Sequence, residues 1–163
     1  LTNKNDNIFI GKNSGTINNE SDNIFIGNDS GRINLGLQTI CIGIGSGYYN
    51  NAENNIYIGK FAGGNPNILT SGIGNLLLGY KTGYSLSTGN NNILVGGTQD
   101  ISTNSTGQNI TSGSNNICFG HLSGTNLSSE NENVLIGVNS GQFMTGNDNI
   151  LIGPEANLYC GLK

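Results

Sequence analysis

The chain has 163 residues, 30 of them Asn and 27 Gly, with 10% charged residues and a net charge of −4. Its six Lys and Arg are scattered, which excludes a phosphate-tracking groove for nucleic acid, and no apolar run approaches the roughly 18 residues of a membrane span. Helix-period patterns are absent and Ala, Glu and Lys are scarce, so almost no helix is expected.

Taken in chain order, nine segments share the pattern Asn-apolar-apolar-apolar-Gly. They are residues 7–11 (Asn-Ile-Phe-Ile-Gly), 23–27, 39–43 (Thr in place of Asn), 55–59, 75–79, 92–96, 116–120, 133–137 and 149–153. Their glycines are separated by 16, 16, 16, 20, 17, 24, 17 and 16 residues. A short fixed period means one supersecondary unit stacked many times, and about 16 residues is too short for helix-turn-helix repeats. The fold class is therefore all-β, a parallel β-solenoid of about nine coils over residues 1–157, with 158–163 as a tail or the start of a following segment. The apolar triplet predicts the first strand of each coil, and the Gly after it predicts a turn.

A second signal follows three residues on, as Ser14-Gly15, Ser30-Gly31, Ser46-Gly47, Ala62-Gly63, Thr82-Gly83, Ser123-Gly124 and Ser140-Gly141. It predicts a tight corner into a less regular second strand: Thr16-Ile17, Arg32-Ile33, Tyr48-Tyr49, Tyr84-Ser85-Leu86, Thr125-Asn126-Leu127 and Phe143-Met144. Asn-Gly, the strongest hairpin signal, would occur roughly five times by chance in this composition and does not occur. That fits coils winding in one direction. The Asn before each triplet recurs on every rung but one, so it predicts either a side-chain amide ladder or a run of independent Asx-turns.

Alternation within the triplet sets its first and third residues on one face and its middle residue on the other. The first and third, Ile, Leu or Val with one Phe119, are assigned to the coil interior. The middle residues are then an outward column: Phe9, Phe25, Cys41, Tyr57, Leu77, Leu94, Cys118, Leu135 and Leu151. Such a strip is too apolar to stay in water, so a homo-oligomer with this column at the subunit interface is expected, about 43 Å long at roughly 4.8 Å per rung.

Two coils carry insertions, Gly63 to Gly74 and Gly97 to Ser114, the second replacing the small-Gly corner with Gly97-Thr98. Solenoid insertions emerge as loops and often bind. Gln99, Asp100, Asn104, Asn109 and Thr111 are the candidate receptor- or glycan-binding residues. No catalytic residues, metal ligands or cofactors are expected. The single His121 falls in a turn. Asp6, Asp22, Glu132 and Asp148 share one repeat position, but Gln38, Asn54, Gly74, Asn91 and Asn115 fill it elsewhere, so solvated turns are favoured over a Ca²⁺ column. Cys41, Cys118 and Cys160 have no metal spacing. Cys41 and Cys118 stand four rungs apart, about 19 Å, too far for a disulfide. Sequons at Asn19, Asn28, Asn104, Asn109 and Asn126 are expected by chance in so Asn- and Ser-rich a chain.

The phrase Asn-Asn-Ile-x-Ile-Gly-x-x-Ser/Ala-Gly, at Asn54 to Gly63 and Asn115 to Gly124, resembles the head-domain repeat of trimeric autotransporter adhesins. It also resembles the repeat of phage and large-virus tail-fibre proteins that often precede an intramolecular chaperone domain. The resemblance covers residues 5 to 157. It implies a homotrimeric parallel β-roll at a virion or extracellular cell surface, structural or adhesive rather than enzymatic. The Asn and Ile bias favours the viral fibre over the bacterial adhesin, and the scarcity of acids disfavours a tailspike depolymerase. Beginning at Leu1, the chain is read as a piece of a longer protein.

Overall fold

The computed structural model describes residues 6–98 and 104–156; the 158–163 segment, Gln99, Asp100 and Cys160 lie outside them. Twelve strands follow in order: β1 (Ile8–Ile10), β2 (Ile17–Asn18), β3 (Ile24–Ile26), β4 (Ile33–Asn34), β5 (Ile40–Ile42), β6 (Tyr49–Asn50), β7 (Ile56–Ile58), β8 (Leu76–Leu78), β9 (Ile93–Val95), β10 (Ile117–Phe119), β11 (Val134–Ile136) and β12 (Ile150–Ile152). The nine triplets form one parallel sheet, ordered β1-β3-β5-β7-β8-β9-β10-β11-β12, and β2-β4-β6 form a second. Register is strict: Phe9 stacks on Phe25, Phe25 on Cys41, Cys41 on Tyr57 and Leu135 on Leu151. This is a β-solenoid of about nine coils with the spacing expected from the sequence.

The triplets are extended because Ile and Val are stiff at Cβ and suit a pleated surface. They stop at three residues because the chain turns at both ends. The residue before the Asn is left-handed in every described coil, for example Asp22 at φ 62° and Asn115 at φ 59°. The Gly after the triplet has φ near 130°, and a Cβ on Gly27 would stand 2.6 Å from the Gly43 carbonyl oxygen on the next rung. At the small-Gly corner the constraint is double. Gly31 has φ 50°, and a Cβ there would meet the Phe25 ring at 2.7 Å. The small residue before it is buried, with Ser30 Oγ donating to the Cys41 carbonyl at 2.7 Å.

The structure reverses the facing assigned to the triplet. Phe25, Cys41, Tyr57, Leu77, Leu94, Cys118 and Leu135 are completely buried within one chain, with Phe9 and Leu151 packed against them at the ends of the stack. These residues are the core and not an outward oligomer column. The first and third residues point to solvent. The reason is parity. The Asn two residues before each middle residue shares its face, and that position is buried on seven rungs, six as Asn, among them Asn23, Asn55 and Asn92, and one as Thr39. The coil is also narrow, so each rung admits one large side chain from this sheet, flush against the corner glycine.

The Asn column is a ladder. Asn92 donates from its backbone N–H and its Nδ2 to Asn75 Oδ1, at 3.0 and 3.1 Å. Asn116 repeats this on Asn92 at 3.0 and 3.1 Å, and Asn133 on Asn116 at 3.2 and 3.1 Å. Each Nδ2 also donates to the return turn, Asn92 to the Gly113 carbonyl at 2.8 Å and Asn116 to that of Glu130 at 2.8 Å. Thr39 can receive but not pass on the amide pattern: its N–H donates to Asn23 Oδ1 at 2.9 Å.

The second strand is shorter than expected and confined to three coils. There Asn18, Asn34 and Asn50 point inward and form a second ladder, with Nδ2 to Oδ1 distances of 2.9 and 2.7 Å. Thr70 continues that column by a backbone bridge to Asn50. Further on, the inward position is Leu86, Ile110, Leu127 and Met144, all buried. In those coils a tight turn replaces the strand, for example Leu86 N–H to the Gly83 carbonyl at 3.0 Å and Leu127 N–H to that of Gly124 at 3.2 Å. A bulky aliphatic reaches the core from a turn, whereas an amide needs the in-register extended chain to meet its neighbours.

Both insertions are bypassed without loss of register. After the first, the stack resumes at Thr70, whose N–H donates to the Tyr49 carbonyl at 3.0 Å. After the second, the corner is rebuilt by Thr106-Gly107 rather than Gly97-Thr98: Gly107 has φ 55° and lies against Leu94, and its N–H donates to the Ser123 carbonyl at 3.0 Å.

Leu135→Ala is expected to lose about 2–5 kcal/mol in urea unfolding, as for a cavity in a closed core. Asn116→Leu leaves the Asn133 amide and the Glu130 carbonyl without the partners described above, at about 1–3 kcal/mol each. The same change at Asn149, half-buried on the last described rung, should cost less. Equal losses at the two positions would argue against the ladder.

Candidate interaction surface

The outer face of the nine-stranded sheet carries two adjacent columns of Ile, Leu, Val and Phe along its whole length. Ile8, Ile10, Leu78, Ile93, Phe119, Ile136, Ile150 and Ile152 are exposed, Phe119 at 54% and Ile150 at 72%. The remaining members are half-buried by their neighbours above and below. With two outward residues per rung at on the order of 50 Å² each, the strip offers roughly 900 Å², above the roughly 300–600 Å² of the largest patch on ordinary monomers. It matches the ~800 Å² that one partner contributes to a standard interface. Stacking in register makes the strip flat and continuous, and no charged side chain from the triplets interrupts it.

The loop residues picked from the sequence are only partly brought together. Asn104 is exposed and its Oδ1 accepts from Gln108 Nε2 at 3.4 Å. Asn109 Nδ2 donates to Asn126 Oδ1 at 3.2 Å on the next rung. Thr111 is exposed, and its hydroxyl lies 3.3 Å from the Ser128 carbonyl. Asn109 and Thr111 thus belong to the regular stack, whereas Asn104 marks the end of the insertion. His121 is exposed, and its Nδ1–H donates to the Gly97 carbonyl at 2.6 Å, tying the insertion's start to the next rung. The positions of Asp6, Asp22, Glu132 and Asp148 are left-handed turn residues, at φ 60–65°. Among the described residues no three of His, Cys, Asp and Glu come together as a metal-binding group.

Cys41 and Cys118 are unpaired and buried in the core. Burial disfavours the thiolate and pushes Cys118 up to about 12, slightly offset by the Ser123 hydroxyl, and pushes Cys41 higher still. The facing of the strip was missed in the sequence although its signal was there: Asn and the middle residue are two apart and share a face.

No family model, no curated protein and no solved structure matches the chain.

The Cys41 and Cys118 thiols should resist alkylation by iodoacetamide at neutral pH in the folded protein and react fully in guanidinium, as read by peptide mass mapping. Both pKa values lie above the ordinary 9.0, so above pH 9 the unfolded chain loses protons that the folded chain keeps. Their contribution to stability is therefore fully present below pH 9 and should fall as pH rises beyond it.

Proposed function

We propose that this chain is a rigid, non-enzymatic segment of a surface fibre, assembled as a homotrimer through the outer face of its nine-stranded sheet. The observation that carries this reading is the uninterrupted pair of apolar columns, Ile24 and Ile26 on one rung, Ile40 and Ile42 on the next, and so on along the stack. A strand apolar on both faces is ordinarily covered on both. Cyclic assembly about an axis parallel to the stack lays identical columns against one another without leaving an open end for lateral growth. The resemblance of the repeat to virus and phage tail fibres supports three chains and a virion-surface setting. The interface thus falls on the first and third residues of each triplet, in place of the middle residues expected from the sequence.

A fibre segment must carry load and resist proteases. The triplet of each interior rung is hydrogen-bonded through its backbone to the rungs on both sides, so an interior rung cannot open without breaking bonds to both neighbours. The two insertions would be the places where such a shaft presents loops to a receptor or glycan, and of the described candidates Asn104 is the one outside the regular stack.

Light scattering should give about three times the chain mass of 17.0 kDa. Ile26→Asp combined with Ile58→Asp should reduce this to the single-chain mass while the circular dichroism of the sheet is kept. A folded wild-type protein at 17.0 kDa would overturn the trimer.

A further inference from the structure

All Lys and Arg among the described residues, Lys12, Arg32, Lys60 and Lys81, lie at one corner of the coil, between the triplet and the second strand. Most acids lie at the opposite corner: Asp6, Glu20, Asp22, Glu53, Glu130, Glu132 and Asp148. The long edges of the solenoid therefore carry opposite charge, although the chain as a whole is acidic. Among the described residues the acids on the cationic edge are Asp29, 3.6 Å from Arg32, and Glu155 on the last described rung.

The same corner collects aromatic rings. The Arg32 guanidinium lies 5.4 Å from the Tyr48 ring centroid on the next rung, and donates to its hydroxyl at 2.6 Å. Lys60 lies over Phe61 at 5.5 Å, and Phe61 crosses the rung below where Gly45 leaves room for it. Lys81 is held between two rings, 5.6 Å from Tyr80 and 5.6 Å from Tyr84. The rings are half-buried, leaving part of each in solvent. The cluster spans four consecutive rungs, about 14 Å. Beyond it the positions matching Lys60, Phe61 and Tyr84 hold His121, Leu122 and Thr125 on one rung and Val138, Asn139 and Gln142 on the next, with no Lys, Arg, Tyr or Phe among them.

We propose that this corner binds an acidic polysaccharide laid along the stack. The part of each ring left in solvent suits the C–H face of a pyranose. The cations, already held in place by the rings, suit carboxylate or sulfate groups without the ordering cost of free lysines. The sparse cations favour a chain with one acidic group every one or two sugars. A nucleic acid has a phosphate at every residue and calls for denser positive charge, which an acidic chain does not supply. The site lies off the two apolar columns and does not depend on the trimer.

Titration calorimetry on the intact chain tests this with oligogalacturonate for the carboxylate arm and a heparin-derived oligosaccharide for the sulfate arm. Maltohexaose is the neutral comparator and oligo(dT) the nucleic-acid one. At least one acidic sugar should bind, about tenfold or more tighter than maltohexaose, and weaken as salt rises. The double variant Lys60→Gln, Lys81→Gln and the single variant Tyr84→Ala should each lose about tenfold in affinity at unchanged melting temperature. Glu53→Gln, on the opposite edge, should bind as wild type. Should Tyr84→Ala prove unstable, the double Lys variant, which keeps every ring and the length of both side chains close to the original, still decides. The proposal is overturned if neither acidic sugar binds at millimolar concentration, if maltohexaose binds equally, if the double Lys variant binds as wild type, or if oligo(dT) binds more tightly than both acidic sugars.

Discussion

Because every coil repeats in register, an amide on one rung always finds an amide on the next, and the rest of the structure depends on that vertical pairing. The Asn before each triplet sits where the chain has just left a left-handed turn, and its own backbone N–H meets a side-chain oxygen of the previous rung rather than a backbone carbonyl. The Oδ1 of the previous Asn takes that proton, and the Nδ2 is shared between the ladder and the return turn. A buried amide without these partners would cost more than the aliphatic residue it displaces. With them it fixes both the register of the sheet and the path of the turn beside it. Insertions of different length are tolerated for the same reason. After the second insertion the chain comes back to the place where Gly107 N–H meets the Ser123 carbonyl.

The ladder also decides what faces water. With Asn inside, alternation puts Phe25, Leu77 or Leu135 inside and the flanking Ile and Val outside. The interior then holds one large side chain per rung from the triplet and one from the opposite wall. That leaves the coil too thin to bury the second apolar column that the sequence supplies. An aliphatic surface on both sides of a strand is thus a consequence of a narrow solenoid, and it turns an isolated coil into something that calls for a partner. The fibre reading rests on this geometric shortage rather than on any reactive group.

The coil count, the parallel winding, the triplet strands and the small-Gly corners were all legible in the sequence, since each is stated by a residue type at a fixed interval. Four things were not. The facing of the triplet needs the Asn parity to be weighed against the greater hydrophobicity of the Ile columns, and hydrophobicity alone points the wrong way. The loss of the second strand after Thr70 is carried by a change from Asn50 to Leu86 at one position, which becomes meaningful only once that position is known to face inward. The corner after the second insertion was hidden because Thr106-Gly107 is displaced from its expected interval. The cation and aromatic residues of the corner were visible singly, at Arg32, Tyr48, Lys60 and Lys81, but their adjacency arises from stacking across rungs and not from spacing within one.

Once ladder, core column and corner glycine are fixed, little of each coil remains free to vary: the residues just after the triplet glycine, those just after the corner glycine, and the return turn. Chemistry in such a molecule must be written into those positions and read along the stack. The N-terminal rungs use them for Arg32, Phe61, Lys81 and Tyr84, the acidic edge uses the return turn for Glu20, Glu53 and Glu130, and the later described rungs place no Lys or Arg at the cationic corner. A column whose members differ from rung to rung gains nothing from in-register stacking, and like charges on adjacent rungs would repel. Lys60 and Lys81 do stand on adjacent rungs, and there each lies over rings of its own rung, Phe61 for one and Tyr80 and Tyr84 for the other. Those ring contacts are what distinguish an edge shaped toward a ligand from one that is merely solvated; on the acidic edge the carboxylates are separated by Asn and Ser instead.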